Sequence, residues 1–597
     1  MSANYRLKHK DDTLILLKNG EPFKELPMVY SNAVNLRDYV RSDGGNLRVA
    51  KDTSEWIKRE YRKNKYIPNI PPESKIANAV ASRQFQCEGV DFAVKNRTVL
   101  IADEPGLGKT VQSIAAILES RLTGPILIVA PKTAAYVTWL AEMDKWTGKD
   151  KIIIIGGKSD EFNRRRNLGQ VLEHAQDHPD KRLWVITTPN YLRMSIKTNK
   201  MGNYVYNSKG KKIIKPVREG MLGFLAVKWS AIIVDEAHET LAGATGNVKR
   251  QSAQRKGLGL LQTVDDGIRI ALSGTPFRGK PENLWGILNW LKPKEYRAYW
   301  GWVSIHFNVH HDDFGDYIGS VRDSNRFYKE LENIMIRRTK GEVLKDLPGK
   351  LYGGTELKMP DREDGPIAVW LEMDEVQEKV YKQMVLEAIA DLDGGQLVAN
   401  GILAEMTRLK QFANSYGYMD PQGVFHPQLP SNKFDWILEF LEERRNTDKK
   451  VIIASQFTKF INLMDRELNK KGIPTYVITG ETKDSDRAKY QREFQNNNDV
   501  KVFLLNTRAG GQSITLDTAD DVIICDQTWN PDDQIQVEDR AHRLSRIHQV
   551  TIWTLATKES IDETLIKKNF VHEMDIKKIM DGERGVEYAK QILMEAL

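Results

Sequence analysis

Short apolar runs alternate with helical patterns in two separate series along this chain, and that rhythm narrows its architecture more than any other feature. The first series lies between about residues 80 and 275: VLIA, ILIVA, IIII, LWVIT, AIIVD and IALSG. The second begins near residue 450: VIIAS, TYVIT, VFLLN, DVIICD and VTIWTL. Runs this short and this apolar fit strands buried on both faces, and intervening helices would supply the cover. The expected fold class is therefore α/β, with two lobes of parallel sheet flanked by helices. A chain of 597 residues exceeds what one core can hold, which agrees with several domains. The expected order is an accessory region at 1–77, a first lobe at 78–300, a helical insertion and inter-lobe bridge at 301–430, a second lobe at 431–570 and a helical tail at 571–597. Within the accessory region, DTLILLKNG and EPFKELPMV predict a hairpin turning at Asn19-Gly20. SEWIKREYRKNK reads as a charged helix and IPNIPPES as a linker.

The chemistry begins at IADEPGLGKT, Ile101 to Thr110, between the first apolar run and the helical pattern VQSIAAILESRL. Strand, glycine-rich turn and helix form the context of a phosphate-binding loop. Gly106 and Gly108 let the backbone approach phosphate oxygens, and the following helix N-terminus presents N–H groups. Lys109 supplies a full positive charge for the β- and γ-phosphates, and Thr110 a hydroxyl for Mg2+. The strict pattern wants glycine five residues before Gly108, and Asp103 stands there. A second element, AIIVDEAH, ends an apolar strand in two acids. Asp235 can hold Mg2+, and Glu236 can orient or deprotonate an attacking water. Alone, such a pair also fits a solvated loop; beside a phosphate loop the cation-binding reading prevails. A third element, ALSGTPFRG, closes a strand with Ser273 and Thr275, a turn able to touch both the acid pair and a bound strand.

Bulk properties limit the alternatives. A net charge of +7 permits a polyanionic partner without requiring one. Cys87 and Cys525 are the only cysteines, which excludes a disulfide framework and a cysteine-rich zinc site and suits a reducing compartment. No apolar run approaches a membrane span, and the N-terminus lacks the apolar core of a secretion signal. KGKKIIKP is a weak nuclear-import candidate. Lys197 to Arg218 holds seven basic residues, no acid, and Tyr204 and Tyr206. That insertion fits a DNA-backbone contact or junction wedge and, equally, a solvated hairpin. WGWVSIHFNVHHDDF gathers His306, His310 and His311 among aromatics, where core packing is preferred over metal binding.

The motif order resembles superfamily 2 helicases and, more narrowly, the Swi/Snf-type DNA-translocating ATPases, over about residues 78 to 565. SRQFQCEGVDFA resembles the family's adenine-reading segment, with Gln86 on the adenine edge. DEPGLGKT resembles its phosphate loop, Asp103 included. IVAPKTAAYVTWLAEMDKW resembles its first DNA-contacting motif, with Pro131, Lys132 and Trp139 in matching places. IMIRRTKGEVLKDLPGK resembles the arginine-rich bridge between lobes. In the second series, KVIIASQFTKF and the stretch from Phe503 to Leu544 resemble the second-lobe signatures. The resemblance implies two RecA-like lobes, ATP and Mg2+ as cofactors, and Arg540 and Arg543 as arginine fingers, with Gln536 in the same cluster. Small hydroxyl residues and backbone amides at motif ends can grip phosphates without reading bases, which makes Lys132, Thr133, Thr188, Ser273 to Thr275, Ser455 to Phe457 (Gln456 among them) and Thr507 to Gly511 (Gly510 among them) the candidate DNA contacts. One departure follows the fingers: Leu544-Ser545-Arg546 stands where the family has Ile-Gly-Gln.

The function expected on this footing is ATP-dependent translocation on double-stranded DNA, remodelling forks or branched DNA or annealing strands. Strand separation, displacement of DNA-bound protein and a non-catalytic branched-DNA scaffold are the alternatives. The expected partner is duplex or branched DNA, with the protein a monomer away from membranes and a protein partner possible through residues 1–77. A bacterial or viral-host cytoplasm is the favoured location, or the nucleus of a eukaryote.

Overall fold

The computed structural model describes residues 4–571 apart from 12, 29–31, 34–35, 38, 41–44, 64–75, 133, 149, 157–160, 198, 200–202, 209–212, 218–220, 242–251, 277–280, 313–314, 345–348, 360–364, 394–398, 508–513, 529–530 and 544–547. The chain divides into two compact units, Met1–Asp346 and Leu347–Leu597.

The first unit opens with a small sheet of β1 (Asn4–Lys10), β2 (Thr13–Lys18), β3 (Glu21–Pro27) and β4 (Asn46–Val49), in the order β3-β2-β1-β4. The β2–β3 turn is at Asn19-Gly20 as the dipeptide predicts, with φ of 52° and 97°. Tyr5, Leu7, Leu14 and Leu16 pack on Ala33, Leu36 and Val40, with Trp56 of the helix Lys51–Lys63 against them. The linker IPNIPPES lies outside the described residues.

The main sheet of this unit contains β5 (Thr98–Ile101), β6 (Gly124–Val129), β7 (Lys151–Ile155) and β8 (Arg182–Thr187). After the hairpin strands β9 (Met194–Ile196) and β10 (Ile214–Pro216) come β11 (Lys228–Val234) and β12 (Gln262–Leu272). A second hairpin, β13 (Phe307–Asp312) and β14 (Gly315–Val321), precedes β15 (Met335–Ile336). Their order in the sheet is β15-β5-β12-β11-β6-β8-β7, with every pairing parallel. The runs are continuously apolar because each strand feeds two cores. Leu100, Leu127 and Val234 face one, and Val99, Ile128 and Ile233 face the other.

The second unit repeats the plan. The strands β16 (Lys350–Gly353), β17 (Thr355–Glu356) and β18 (Ile367–Leu371) come first, then the short pair β19 (Gly417–Met419) and β20 (Phe425–Pro427). The sheet is completed by β21 (Val451–Ser455), β22 (Thr475–Ile478), β23 (Val502–Asn506), β24 (Asp521–Ile524) and β25 (Val550–Thr557). Its order is β17-β18-β25-β24-β21-β23-β22, with β16 also on β25. The stretch expected to be a helical insertion thus supplies strands as well. These strands are too short, two to five residues for β15 to β18, to leave a periodic signal.

Candidate nucleotide site

The loop after β5 turns sharply at its glycines. Gly106 has φ of 90° and Gly108 of 79°, a left-handed region that side chains avoid, and Gly108 opens the helix Lys109–Glu119. The Lys109 ammonium folds back to donate to the Asp103 carbonyl at 2.7 Å. Gln86 lies buried behind the loop in the helix Gln84–Asn96 and donates through Nε2 to the Leu107 carbonyl at 3.1 Å. Its amide oxygen is buried with no hydrogen-bond partner. An acceptor left open in this way fits an incoming N–H donor such as the exocyclic amine of adenine. A Cβ on Gly108 would stand 2.4 Å from Gln86 Nε2, so a side chain there would displace the Gln86 amide, and the positive φ itself favours glycine.

Asp103, the residue that breaks the strict glycine pattern, is fully buried and holds an arginine. Arg338 donates from Nε to Oδ1 at 3.0 Å and from Nη2 to Oδ2 at 2.6 Å, a two-pronged pair. Gln112 closes the cluster, donating to Oδ2 at 2.9 Å and accepting from Arg338 Nη2 at 3.0 Å. Arg338 also donates to the Phe85 carbonyl. Its neighbour Arg337 donates to the carbonyls of Ala102 at 3.2 Å and Gly274 at 3.0 Å. Both arginines come from the bridge-like segment IMIRRTK. Within this unit its strand β15 is the sheet edge beside β5, and Ala102 N–H donates to the Ile336 carbonyl at 2.7 Å. That segment is a clamp on the phosphate loop, a role its spacing did not disclose.

The acids sit two strands away. Asp235 follows β11 and accepts from the Trp139 indole at 2.9 Å and from the Glu236 N–H at 3.0 Å. Desolvation, then the neighbouring Glu236 carboxylate, push the Asp235 carboxyl from 3.8 up to about 6; Trp139, the Glu236 amide and the Lys109 ammonium pull it the other way. A Cβ on Gly274 would stand 3.4 Å from the Lys109 ammonium, which places Lys109 beside the third motif. A carboxylate held in this state gains from a divalent cation, which the oxygens of Asp235 and Thr110 suit. Glu236 has φ of 44°, a strained left-handed backbone for a residue with a side chain. His238 Nδ1 lies 2.7 Å from the Ser273 hydroxyl and 3.5 Å from Glu236 Oε2. Ser273 is fully buried, and its hydroxyl also accepts from the Thr275 N–H at 3.3 Å. A Cβ at Gly274 would meet Pro105 at 2.9 Å, so the third motif rests on the phosphate loop itself. Trp139, matched in sequence to a DNA-contacting motif, is fully buried and orients the metal-type carboxylate instead.

In the second unit, Arg540 ends the helix Pro531–Ala541 and is largely buried, and Arg543 is half-buried. Both donate to the Ile514 carbonyl, at 3.3 and 3.0 Å, which ties them to the loop after β23. Gln536 is half-buried on the same helix. Lys350 of β16 pairs with Glu538 at 2.8 Å and Asp539 at 3.2 Å, and the two carboxylates, outweighing the cost of burial, raise its pKa. Asp526, also buried, accepts from the Ser455 hydroxyl, from Gln456 N–H at 3.0 Å, from Gln456 Nε2 at 2.8 Å and from Asn414 at 3.0 Å. Sequence reading missed Trp139, Arg338, Lys350 and Asp526 as site-building residues, because each works through a partner remote in the chain.

Of the remaining residues expected to touch nucleic acid, Lys132 is exposed, whereas Thr188 and Thr507 are almost fully buried. Thr133, Gly510, Gly511 and the Leu544-Ser545-Arg546 departure lie outside the described residues. His306 packs on Trp302 and Phe327 and bonds Glu330 at 2.8 Å, the core role preferred for it. Among the described residues no helix is long and apolar enough to cross a membrane.

Residues 50–418 match the SNF2-related domain, and residues 432–545 match the helicase conserved C-terminal domain. The chain belongs to the SNF2-related family. Three relatives each align with 84% of it: the SWI/SNF chromatin-remodeling complex subunit snf22 of Schizosaccharomyces pombe at 27% identity, the chromatin structure-remodeling complex subunit snf21 of the same yeast at 25%, and the ATP-dependent helicase brm of Drosophila melanogaster at 26%. The chain spans only 28%, 39% and 29% of their respective lengths. Among solved structures, the Sulfolobus solfataricus SWI2/SNF2 ATPase core in complex with dsDNA is 20% identical, with 88% of this chain and 99% of that chain covered and a TM-score of 0.35.

Proposed function

We propose that this SNF2-related chain is a DNA-dependent ATPase that converts ATP hydrolysis into movement along double-stranded DNA. The observation that carries the reading is the convergence in the first unit of Gln86, the left-handed glycines, Lys109 and the Asp235–Glu236 pair. Gln86 reads the adenine edge, and the loop amides with Lys109 hold the phosphates. Glu236 positions the attacking water. Mg2+, held by Thr110 and Asp235, would neutralise charge on the phosphates. Arg540 and Arg543 act as the fingers that stabilise charge developing in phosphoryl transfer.

Duplex DNA is the track we propose, gripped through phosphates without base readout. The +7 net charge is compatible with this and is not its basis. Remodelling of forks or branched DNA, or strand annealing, is the proposed use of the movement. The relatives named for chromatin remodelling favour displacement of DNA-bound protein as the second reading. DNA-stimulated ATP hydrolysis that is lost in Lys109→Ala tests the first claim. Triplex-strand displacement without fork unwinding supports translocation; unwinding of a plain fork refutes it in favour of strand separation.

A further inference from the structure

The N-terminal sheet has one face in its own core and one face open. Tyr5, Leu7, Leu14 and Leu16 point inward to the helices that follow. By alternation, Arg6, Lys8 and Lys10 of β1 point outward, and all three are exposed. Arg48 of β4 is exposed on the same face, and the parallel register sets it directly beside Arg6. None of these cations makes a hydrogen bond or ion pair among the described residues. Neither β1 nor β4 contains an acid. Asp11 directly follows Lys10 in the turn; on the paired strands of this face the acid is Glu25 of β3, opposite Ile15, which is itself opposite Lys8. Two strand spacings separate it from Lys8, roughly 10 Å.

Like charges placed side by side on a sheet cost stability. An anion from outside would relieve the Arg6–Arg48 pair, with Lys8 and Lys10 beyond it. Its neighbours on the face are aliphatic or small: Leu17, Ile15 and Thr13 opposite Arg6, Lys8 and Lys10. Among the described residues of this face no aromatic ring offers a platform for unstacked bases, and the exposed Phe23 packs instead against Tyr5 and Tyr39. Such a face suits a rigid row of phosphates rather than single-stranded bases.

We infer that this open face, through Arg6, Lys8, Lys10 and Arg48, is a second DNA-binding surface that grips the duplex phosphate backbone independently of nucleotide. It rests on the reading of DNA as the track, but it makes a separate prediction about affinity. The full chain is compared with the combined Arg6→Ala, Lys8→Ala, Lys10→Ala, Arg48→Ala variant by anisotropy of a labelled duplex, without ATP, over a salt series. Each phosphate contact contributes about 0.9 to the slope of log affinity against log salt, so losing the set lowers that slope by roughly 3 to 4. Affinity at low salt falls at least tenfold, and the DNA concentration that half-saturates ATP hydrolysis rises while the maximal rate holds. A control carrying Arg6→Lys and Arg48→Lys keeps the wild-type slope. A slope in the alanine variant within about 0.5 of wild type overturns the inference, as does retention of full DNA affinity with loss of an acidic protein partner. If wild type binds duplex on this face but hydrolyses no ATP, the motor reading fails and this one stands.

Discussion

Replacing Asp103 with glycine restores the residue that the strict phosphate-loop pattern has at that position, so pattern matching predicts a neutral or improved loop. The structure predicts the reverse. Asp103→Gly removes both carboxylate contacts to Arg338 and leaves a guanidinium, 10% exposed, bonded only to the Phe85 carbonyl and Gln112 and near Glu88 at 3.7 Å. Removing one partner of a buried ion pair costs about 3–5 kcal/mol, because the remaining charge is uncompensated. The added backbone freedom of glycine costs up to about 1 kcal/mol more. Against a total stability of about 5–15 kcal/mol for a domain, that is a large share. Arg338→Met in the same chain removes the stranded charge, and the double variant should recover about 2 kcal/mol or more of the single variant's loss. Urea unfolding followed by tryptophan fluorescence, with KM for ATP measured in parallel, reads both effects. Asp103→Gly within about 1 kcal/mol of wild type, with unchanged KM, would refute the clamp.

Five further outcomes follow from the same geometry. Gly108→Ala should raise KM for ATP at least tenfold, since its methyl meets Gln86 at 2.4 Å on a left-handed backbone; steady-state kinetics check it. Ser273→Ala should leave basal ATP hydrolysis largely intact and cut its DNA stimulation, because the hydroxyl joins the third motif to His238; the ratio of rates with and without duplex reports this. Lys350→Ala should destabilise the second unit by roughly 3 kcal/mol by stranding Glu538 and Asp539, both nearly buried, as read from its thermal transition. Because the Asp235 carboxyl titrates near 6 in the folded chain against 3.8 ordinarily, the folded state binds the extra proton; metal-free protein should lose stability as pH rises from about 4 to about 6. Below about pH 6 that proton competes with Mg2+, so titration calorimetry should find Mg2+ affinity falling as pH drops.

What could be read from the sequence was whatever is local. The apolar runs became strands because each is buried on two sides, as Leu100 and Val99 show by feeding different cores. The glycine loop and the acid pair were legible because backbone approach and cation binding demand particular residues at fixed spacing. The rest lies in long-range partnerships. Trp139 reaches Asp235 and Arg338 reaches Asp103 across 96 and 235 positions, and no periodicity encodes such a contact. Ser273 reads as a turn residue in ALSGTPFRG, yet it is buried, with His238 of the helix Ala237–Leu241 2.7 Å from its hydroxyl. The short strands β15 and β16 were invisible for a similar reason: their partners, not their own two or four residues, make them strands.

The central proposal is that cleavage of ATP requires Arg540 and Arg543 as well as Lys109, Asp235 and Glu236. Single-turnover ATP hydrolysis by Arg543→Lys in the presence of duplex DNA tests it most directly, with ATP affinity and thermal unfolding measured on the same sample. The account predicts wild-type affinity and unfolding with hydrolysis slowed at least about a hundredfold, toward the range that loss of an arginine finger produces. Hydrolysis at the wild-type rate in a variant that binds ATP and duplex normally would contradict it.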